Sequence, residues 1–284
     1  MNPLVRIKRS VPYIAFREWN KALRRRIKLP AYRGSEYRCP ICGIGLRAFK
    51  PIWKSFARAV AQYKPVNSPR NLETFNMDAF SCPNCDAFDR ERLIALYVDR
   101  VFPAYDRNRR YKVVEFGPAH ALRRKLESYP FVDYRSADLT RREVIDRNVD
   151  LTDMKDTYAD GSVDAFFCSH VLEHIREDRK AMRELFRILA PDGFGVILVP
   201  LFHGIEETQE DPSVVTVEDR WRLYFDGGHV RQYGKRDFLA RLIEAGFQVD
   251  RLGIAYFGVE TFRRAGIAED SILYVVRKPP AATR

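Results

Sequence analysis

Two pairs of cysteines carry the most specific chemistry in the chain. Cys39 and Cys42 stand in CPICG, and Cys82 and Cys85 stand in CPNCD. Each C-x-x-C knuckle offers two thiolates to one ion. Two knuckles complete the tetrahedral sulfur set that zinc takes. Thirty-nine residues separate Cys42 from Cys82, a long spacing that an inserted loop accommodates. With every coordination position filled by protein, such an ion is structural and organises a module with little core of its own. Redox dithiols are the alternative, and they need a thioredoxin-like context that the flanking residues lack. Cysteine pairs of this kind imply a reducing compartment. The fifth cysteine, Cys168, lies in an apolar run and reads as a small buried hydrophobe.

A second constellation begins at VVEFGPAHALRRKL, residues 113–126. An apolar run ends in Glu115 and Gly117, and a helical pattern follows. A glycine directly after a strand lets the backbone turn tightly and approach a ligand. Asp138 closes the next apolar run, 21 positions after Gly117, where an acid can reach ribose hydroxyls. A dinucleotide wants several glycines to admit its pyrophosphate. Here Pro118 and His120 stand in the way, and Pro118 removes a backbone donor. A cofactor without phosphates tolerates the narrower turn, and S-adenosylmethionine is one.

A third set lies in the long segment between Pro200 and Gly234. It carries Trp221, Tyr224 and Phe225, then His229, Arg231 and Tyr233. Long loops leaving the carboxyl end of a strand often cover active sites. Aromatics with one histidine and one arginine suit a saccharide or another polar, anionic acceptor. His229 is the candidate general base, since imidazole titrates near neutrality. Arg231 and Tyr233 are candidate acceptor-binding residues, with Arg231 suited to a phosphate or carboxylate. His170 and His174, four apart, offer a metal pair, but no further ligand is evident beside them. Glu173 and His174 are expected to orient the start of the following helix. Arg90 and Arg92 read as the solvated face of a helix or as an anion site.

The elements that must position these groups divide the chain in three. Residues 1–36 form a basic segment in which Arg6, Lys8, Arg9, Arg17, Lys21 and Arg24 crowd together. Residues 37–105 hold the cysteines and end in a linking helix around Arg90–Val98. Residues 106–284 alternate strand and helix signals, the pattern of an α/β domain with a mostly parallel sheet. Expected strands are YKVVEF, VDYRSADL, SVDAFFCS, FGVILVP, FQVDRLGIAYF and DSILYVVRK. Expected helices are AHALRRKLES, REDRKAMRELFRILA, stopped by Pro191-Asp192-Gly193, and KRDFLARLIEAG. No apolar run is long enough for a signal sequence or a membrane span, so the expectation is a cytoplasmic protein. The net charge of +11 favours anionic partners. The basic N-terminus suits the inner membrane face, RNA, or docking on the protein itself.

These motifs resemble class I S-adenosylmethionine-dependent methyltransferases. The resemblance covers about 170 residues, and DGSVDAFFCSHVLEHIREDRKAMRELFRILAPDGFGVILVP is its most specific part. The cysteine pairs make the whole similar to a bacterial group that joins a zinc-ribbon-like module to this domain. Members of that group are associated with surface-polysaccharide or glycolipid modification. The resemblance implies a Rossmann-like sheet with a final antiparallel hairpin. It places Glu115 and Gly117 beside the methionine tail and Asp138 on the ribose, with Leu139 beside the adenine. It places Asp150 and Leu151 at the adenine edge, and Ser169 and His170 near the sulfonium. Pro118-Ala119-His120-Ala121 departs from the glycine-rich pattern of many relatives. The expected activity is O-methylation of a saccharide or cell-surface glycolipid precursor. The rivals are RNA methylation and a zinc-containing scaffold with a decayed cofactor site.

Overall fold

The computed structural model describes residues 23, 25–140 and 145–280. Arg6, Lys8, Arg9, Arg17, Lys21 and Arg24 therefore lie outside the described residues. Arg25 is described, and it pairs with Asp86 in the second cysteine knuckle. No described helix is long and apolar enough to cross a membrane.

A seven-stranded sheet forms the centre. Its strands are β3 (Tyr111–Phe116), β4 (Val132–Asp138), β5 (Arg147–Asn148), β6 (Val163–Ser169), β7 (Leu189–Leu198), β8 (Gln248–Leu252) and β9 (Leu273–Arg277). Their order is β5-β4-β3-β6-β7-β9-β8. β5 to β7 are parallel, and β9 runs antiparallel to both β7 and β8. This is the mostly parallel sheet with a final antiparallel pair that the sequence predicts. Strand order reverses between β4-β3 and β6, and a crevice opens at the carboxyl ends of strands at such a point. Val113, Val114 and Phe116 of β3 and Val163 and Ala165–Cys168 of β6 are buried. Near-continuous burial follows because helices cover both faces of a parallel sheet.

Two expectations change in detail. The amphipathic helix spans Asp178–Ile188 and buries Ala181, Met182, Leu185 and Ile188. Its backbone becomes extended at Leu189, so Pro191-Asp192-Gly193 lies inside β7 rather than ending the helix. The register against β6 shifts between Val163 and Ala165, which absorbs these residues as a bulge. The run FQVDRLGIAYF is a strand only to Leu252. Ile254–Phe257 and Val259–Ala265 are helical.

The cysteine module precedes the sheet. It contains the antiparallel pair β1 (Arg33–Arg38) and β2 (Gly45–Leu46), then helix α1 (Lys54–Tyr63). Helix α2 (Asp89–Val101) follows. Leu93, Ile94, Tyr97 and Val98 of α2 belong to the same core as β3 and β6. The linking helix thus packs as part of the sheet layer.

Arg92 joins module to sheet. It is fully buried, so the anion-site and solvated-face readings both fail for it. Its guanidinium donates to the carbonyls of Ala79, Phe80 and Ala87 on one side and Ala265 and Gly266 on the other. It also lies 4.0 Å from the centre of the Phe49 ring. A planar fork with five N–H donors suits this role, and a lysine ammonium does not. Removing it takes the donor from the Ala79 and Ala265 carbonyls, each costing about 1–3 kcal/mol if water cannot reach it, and the second donor from those of Phe80, Ala87 and Gly266, which also accept from Asp89 N, Cys82 N and Asn76 Nδ2. Arg92→Leu is expected to destabilise by at least about 3 kcal/mol, and Arg92→Lys by a substantial part of that. Urea unfolding of the three proteins measures this, and an unchanged midpoint for Arg92→Leu would contradict it.

Candidate active site

A cavity of about 620 Å³ opens at the crevice beyond β3, β4 and β6. Gly117, Asp138, Leu139, Asp150, Leu151 and His170 line it, joined by Val171 and by His174–Glu177. Six of the eight residues expected at a cofactor are therefore on one wall system. Gly117 has φ +62°, and a Cβ there would lie 2.7 Å from Val171 Cγ2. The single glycine of the turn is needed for both backbone and space. Asp138 and Asp150 are built alike. One oxygen of each accepts the backbone N–H and the hydroxyl of the threonine two residues on, Thr140 and Thr152, at 2.8–3.0 Å. These turns hold both carboxylates at the rim of the cavity.

The other two expected residues, Glu115 and Ser169, line a small adjoining cavity that also touches Gly117 and Arg90. Glu115 is buried. It accepts the Ala119 N–H at 2.8 Å and the Tyr134 hydroxyl at 2.7 Å. Burial raises its pKa to about 8, which those two donors partly oppose. The Ser169 hydroxyl is buried without a hydrogen-bond partner among the described residues. An orphan hydroxyl and a costly carboxyl beside a glycine cradle fit the polar tail of a cofactor such as S-adenosylmethionine.

A third cavity, of about 390 Å³, lies on the far side of His170. The cysteine module supplies Trp53, Phe56, Phe75 and Phe88, and the long insert supplies Trp221, Phe225, Asp226 and His229. Arg90 reaches this cavity and the small one beside Glu115, and His170 lines this cavity and the cofactor crevice. His170 takes a left-handed backbone, φ +57°, an uncommon conformation for histidine that is often found where a site is over-determined. Within the insert a helix forms at Val217–Tyr224, capped by Thr216, and Trp221 stacks on Tyr63 of α1. Tyr224 turns inward, its hydroxyl accepting the Asp211 N–H.

His229 Nδ1 donates to the Tyr224 carbonyl at 2.8 Å. Its Nε2 faces Glu173 Oε1 at 3.8 Å. Burial, then the neighbouring His174, lowers the His229 pKa to about 4. Burial and nearby Arg90 likewise hold His170 well below its ordinary value. Burial thus favours the neutral form of both rings. Glu173 is buried, and burial raises its pKa to about 8.

Two expectations are corrected. Arg231 and Tyr233 are buried and committed elsewhere. Arg231 binds Glu210 at 2.7 Å and donates to the carbonyls of Leu172, Ile175 and Arg176. Tyr233 donates to Asp178, which Arg241 also holds at 2.6 Å. With every polar group so engaged, neither can receive an acceptor molecule. Arg231 instead fixes the turn that carries Glu173 and His174. Arg90, not Arg231, is the cation that lines the aromatic cavity and the small one beside Glu115. Sequence placed it on a helix face and could not show which way it points.

The sulfurs of Cys39, Cys42, Cys82 and Cys85 all lie within 4.8 Å of one another. The Cys39–Cys85 and Cys42–Cys82 separations are 3.6 and 3.8 Å. Zinc–sulfur bonds of about 2.3 Å in a tetrahedron place sulfurs about 3.8 Å apart. The cluster is compatible with zinc. Cys168 is buried in the main core.

Residues 117–197 match the model of a family described as a methyltransferase domain. The matched segment runs from the turn after β3 into β7 of the doubly wound α/β sheet. No curated protein sequence matches the chain significantly. Similar solved structures include the YcgJ protein of Bacillus subtilis, at 16% identity and TM-score 0.41, covering 61% of this chain and 93% of that one. Another is a SAM-dependent methyltransferase of Archaeoglobus fulgidus, at 14% identity and TM-score 0.41, covering 66% and 92%. The [4+2]-cyclase SpnF is at 14% identity and TM-score 0.42, covering 83% and 100%.

Glu115 makes the site's pH dependence testable. Its pKa is higher folded than unfolded, so folding takes up a proton between about pH 4.5 and 8. Its contribution to stability is present below that window and falls as pH rises through it. Thermal melts from pH 5 to 8.5 are expected to decline less steeply for Glu115→Gln than for the parent. Parallel slopes would refute the assignment.

Proposed function

We propose that this methyltransferase domain moves a methyl group to a hydroxyl of a saccharide or a related cell-surface glycan or glycolipid precursor. The observation that carries the reading is that His170 lines two cavities at once, the crevice at the carboxyl ends of β3, β4 and β6 and an aromatic cavity walled by the cysteine module and the insert. S-adenosylmethionine supplies a methyl group activated by a sulfonium, so the protein's main task is alignment. In this reading Asp138 holds the ribose, and Leu139, Asp150 and Leu151 hold the adenine. Glu115, Gly117, Ser169 and Arg90 receive the amino-acid tail, Arg90 facing its carboxylate.

The acceptor cavity supports the saccharide reading by its composition and size. Its aromatic walls suit the apolar faces of a sugar ring, and Asp226 and His229 suit its hydroxyls. A volume of about 390 Å³ fits one or two sugar units. Arg90 is the one cationic residue lining it among the described residues, which argues against a nucleic-acid backbone as the group held there. His170 and His229 are the groups placed to take the hydroxyl proton, since a hydroxyl must lose it as the oxygen–carbon bond forms. We also infer that Cys39, Cys42, Cys82 and Cys85 hold a structural zinc, whose module forms one wall of that cavity.

Calorimetric titration with S-adenosylmethionine and S-adenosylhomocysteine tests the cofactor reading. Binding is expected to weaken about ten- to a hundredfold in Asp138→Ala, the scale of one lost hydrogen bond to a charged group. No binding to the folded parent would overturn it. Methyl transfer from labelled donor to a panel of saccharides and glycolipid precursors tests the acceptor. Trp221→Ala is expected to raise KM for the acceptor and leave donor binding intact. His170→Ala is expected to lower kcat. Transfer to RNA, and to no saccharide, would replace this reading.

A further inference from the structure

We propose that Glu173, His174 and His229 form a binding site for a first-row divalent transition-metal ion, zinc foremost, at the junction of the cofactor and acceptor cavities. In the sequence His170 and His174 are the visible pair, and they lack further ligands. The fold selects a different pair. Leu172–His174 is a tight 3-10 turn, and the insert brings His229 against it from 55 residues away. One ligand atom from each of Glu173, His174 and His229 lies within 4.8 Å of the other two.

Three features separate this cluster from a chance contact. The first is the carboxylate. Glu173 is 1% exposed, and both of its oxygens lack a hydrogen-bond partner among the described residues. Its Oε1 points between His170 Nδ1, at 3.5 Å, and His229 Nε2, at 3.8 Å. A buried carboxyl without partners is costly unless a proton or a cation satisfies it. The second is the orientation of the rings. His229 Nδ1 meets the Tyr224 carbonyl at 2.8 Å, and His174 Nδ1 meets the Gly228 carbonyl at 3.1 Å. A backbone carbonyl on one ring nitrogen leaves Nε2 as the lone-pair nitrogen, the arrangement found around ligating histidines. The third is the anchoring. Val230 N donates to the Glu173 carbonyl at 2.9 Å, and Arg231 holds the carbonyls of Leu172, Ile175 and Arg176. The turn and the insert are therefore tied on both sides of the cluster.

The donor set decides the ion. Two imidazoles and one carboxylate suit zinc, cobalt, nickel or iron, whereas magnesium and calcium prefer oxygen alone. Ligand bonds of about 2.1 Å require donor atoms about 3.4 Å apart. The cluster must contract by at most about 1.4 Å from its 4.8 Å limit, and the exposed His174 can rotate to do so. Three protein ligands leave a position open. His229 lines the acceptor cavity, so the open position can take an acceptor hydroxyl. That role rests on the methyl-transfer reading. In it the ion acidifies the hydroxyl, and His170, which is not a ligand, takes the proton.

The test uses the full chain with its cysteine centre loaded with zinc. Cobalt(II) is titrated in and followed by visible absorption, and total metal is measured after gel filtration. The parent is expected to hold one ion beyond the cysteine-bound one, without sulfur-to-metal charge transfer. Glu173→Gln and His174→Ala are expected to bind that ion at least tenfold more weakly and to keep the first. His174 is exposed, so His174→Ala leaves the fold intact, which an unchanged Tm confirms. A parent that holds no ion outside the cysteines, or a His174→Ala protein with unchanged cobalt affinity, would overturn the proposal. The readout needs neither methyl donor nor acceptor. Absence of S-adenosylmethionine binding would therefore defeat the methyl-transfer reading without touching this one.

Discussion

A single buried guanidinium holds the two halves of this molecule in register. Arg92 starts in helix α2 and ends among five carbonyls, three from the cysteine module and two from the helix Val259–Ala265 and its cap. Three of those carbonyls also accept from Asp89 N, Cys82 N and Asn76 Nδ2, and Arg92 is the donor that all five share. Asp89 beside it is buried as well, and burial raises its pKa against the pull of Arg92. Charges at this depth are tolerated only when their partners are fully arranged. The placement of the cysteine module against the sheet follows from that arrangement, and so does the acceptor cavity that the module walls.

A second polar network sets the turn between the cavities. Asp178 begins helix Asp178–Ile188 and receives Tyr233 and Arg241, while Glu210 receives Arg231 and Arg241. Arg231 then reaches the carbonyls of residues 172, 175 and 176. The long insert is thereby stitched to the turn after β6. Glu73 adds a further tie by accepting the Tyr274 hydroxyl at 2.6 Å and pairing with Lys235. Arg241 Nε is left without a partner among the described residues, and the remaining bonds of the network favour one packing over its near alternatives.

The cavities inherit their chemistry from this scaffolding. The cofactor crevice is a property of the sheet, because it lies where strand order reverses. The aromatic cavity is walled by several segments of the chain. Its aromatics come from α1, from the loops around the cysteines and from the insert, and they pack on one another through pairs such as Tyr63 with Trp221 and Phe56 with Phe225. A wall made of separate segments is open to change without disturbing the sheet.

Local sequence was enough for the sheet, the cysteine cluster and most of the residues that line the crevice beyond β3, β4 and β6. Strands and helices announce themselves by period, and C-x-x-C spacing fixes two thiolates relative to each other. Gly117, Asp138, Asp150 and His170 all follow strands or their turns, so order along the chain places them in space. The tertiary structure alone decided the rest. Arg231 and Tyr233 read as exposed acceptor groups because residue type says nothing about which side of a loop faces the protein. Arg90 and Arg92 are two residues apart on one helix, yet one opens on the cavities and the other is sealed in the core. His229 meets Glu173 and His174 only because the insert folds back over the turn. Contacts between residues so far apart in the chain depend on how packed elements close over one another, and no local pattern records that.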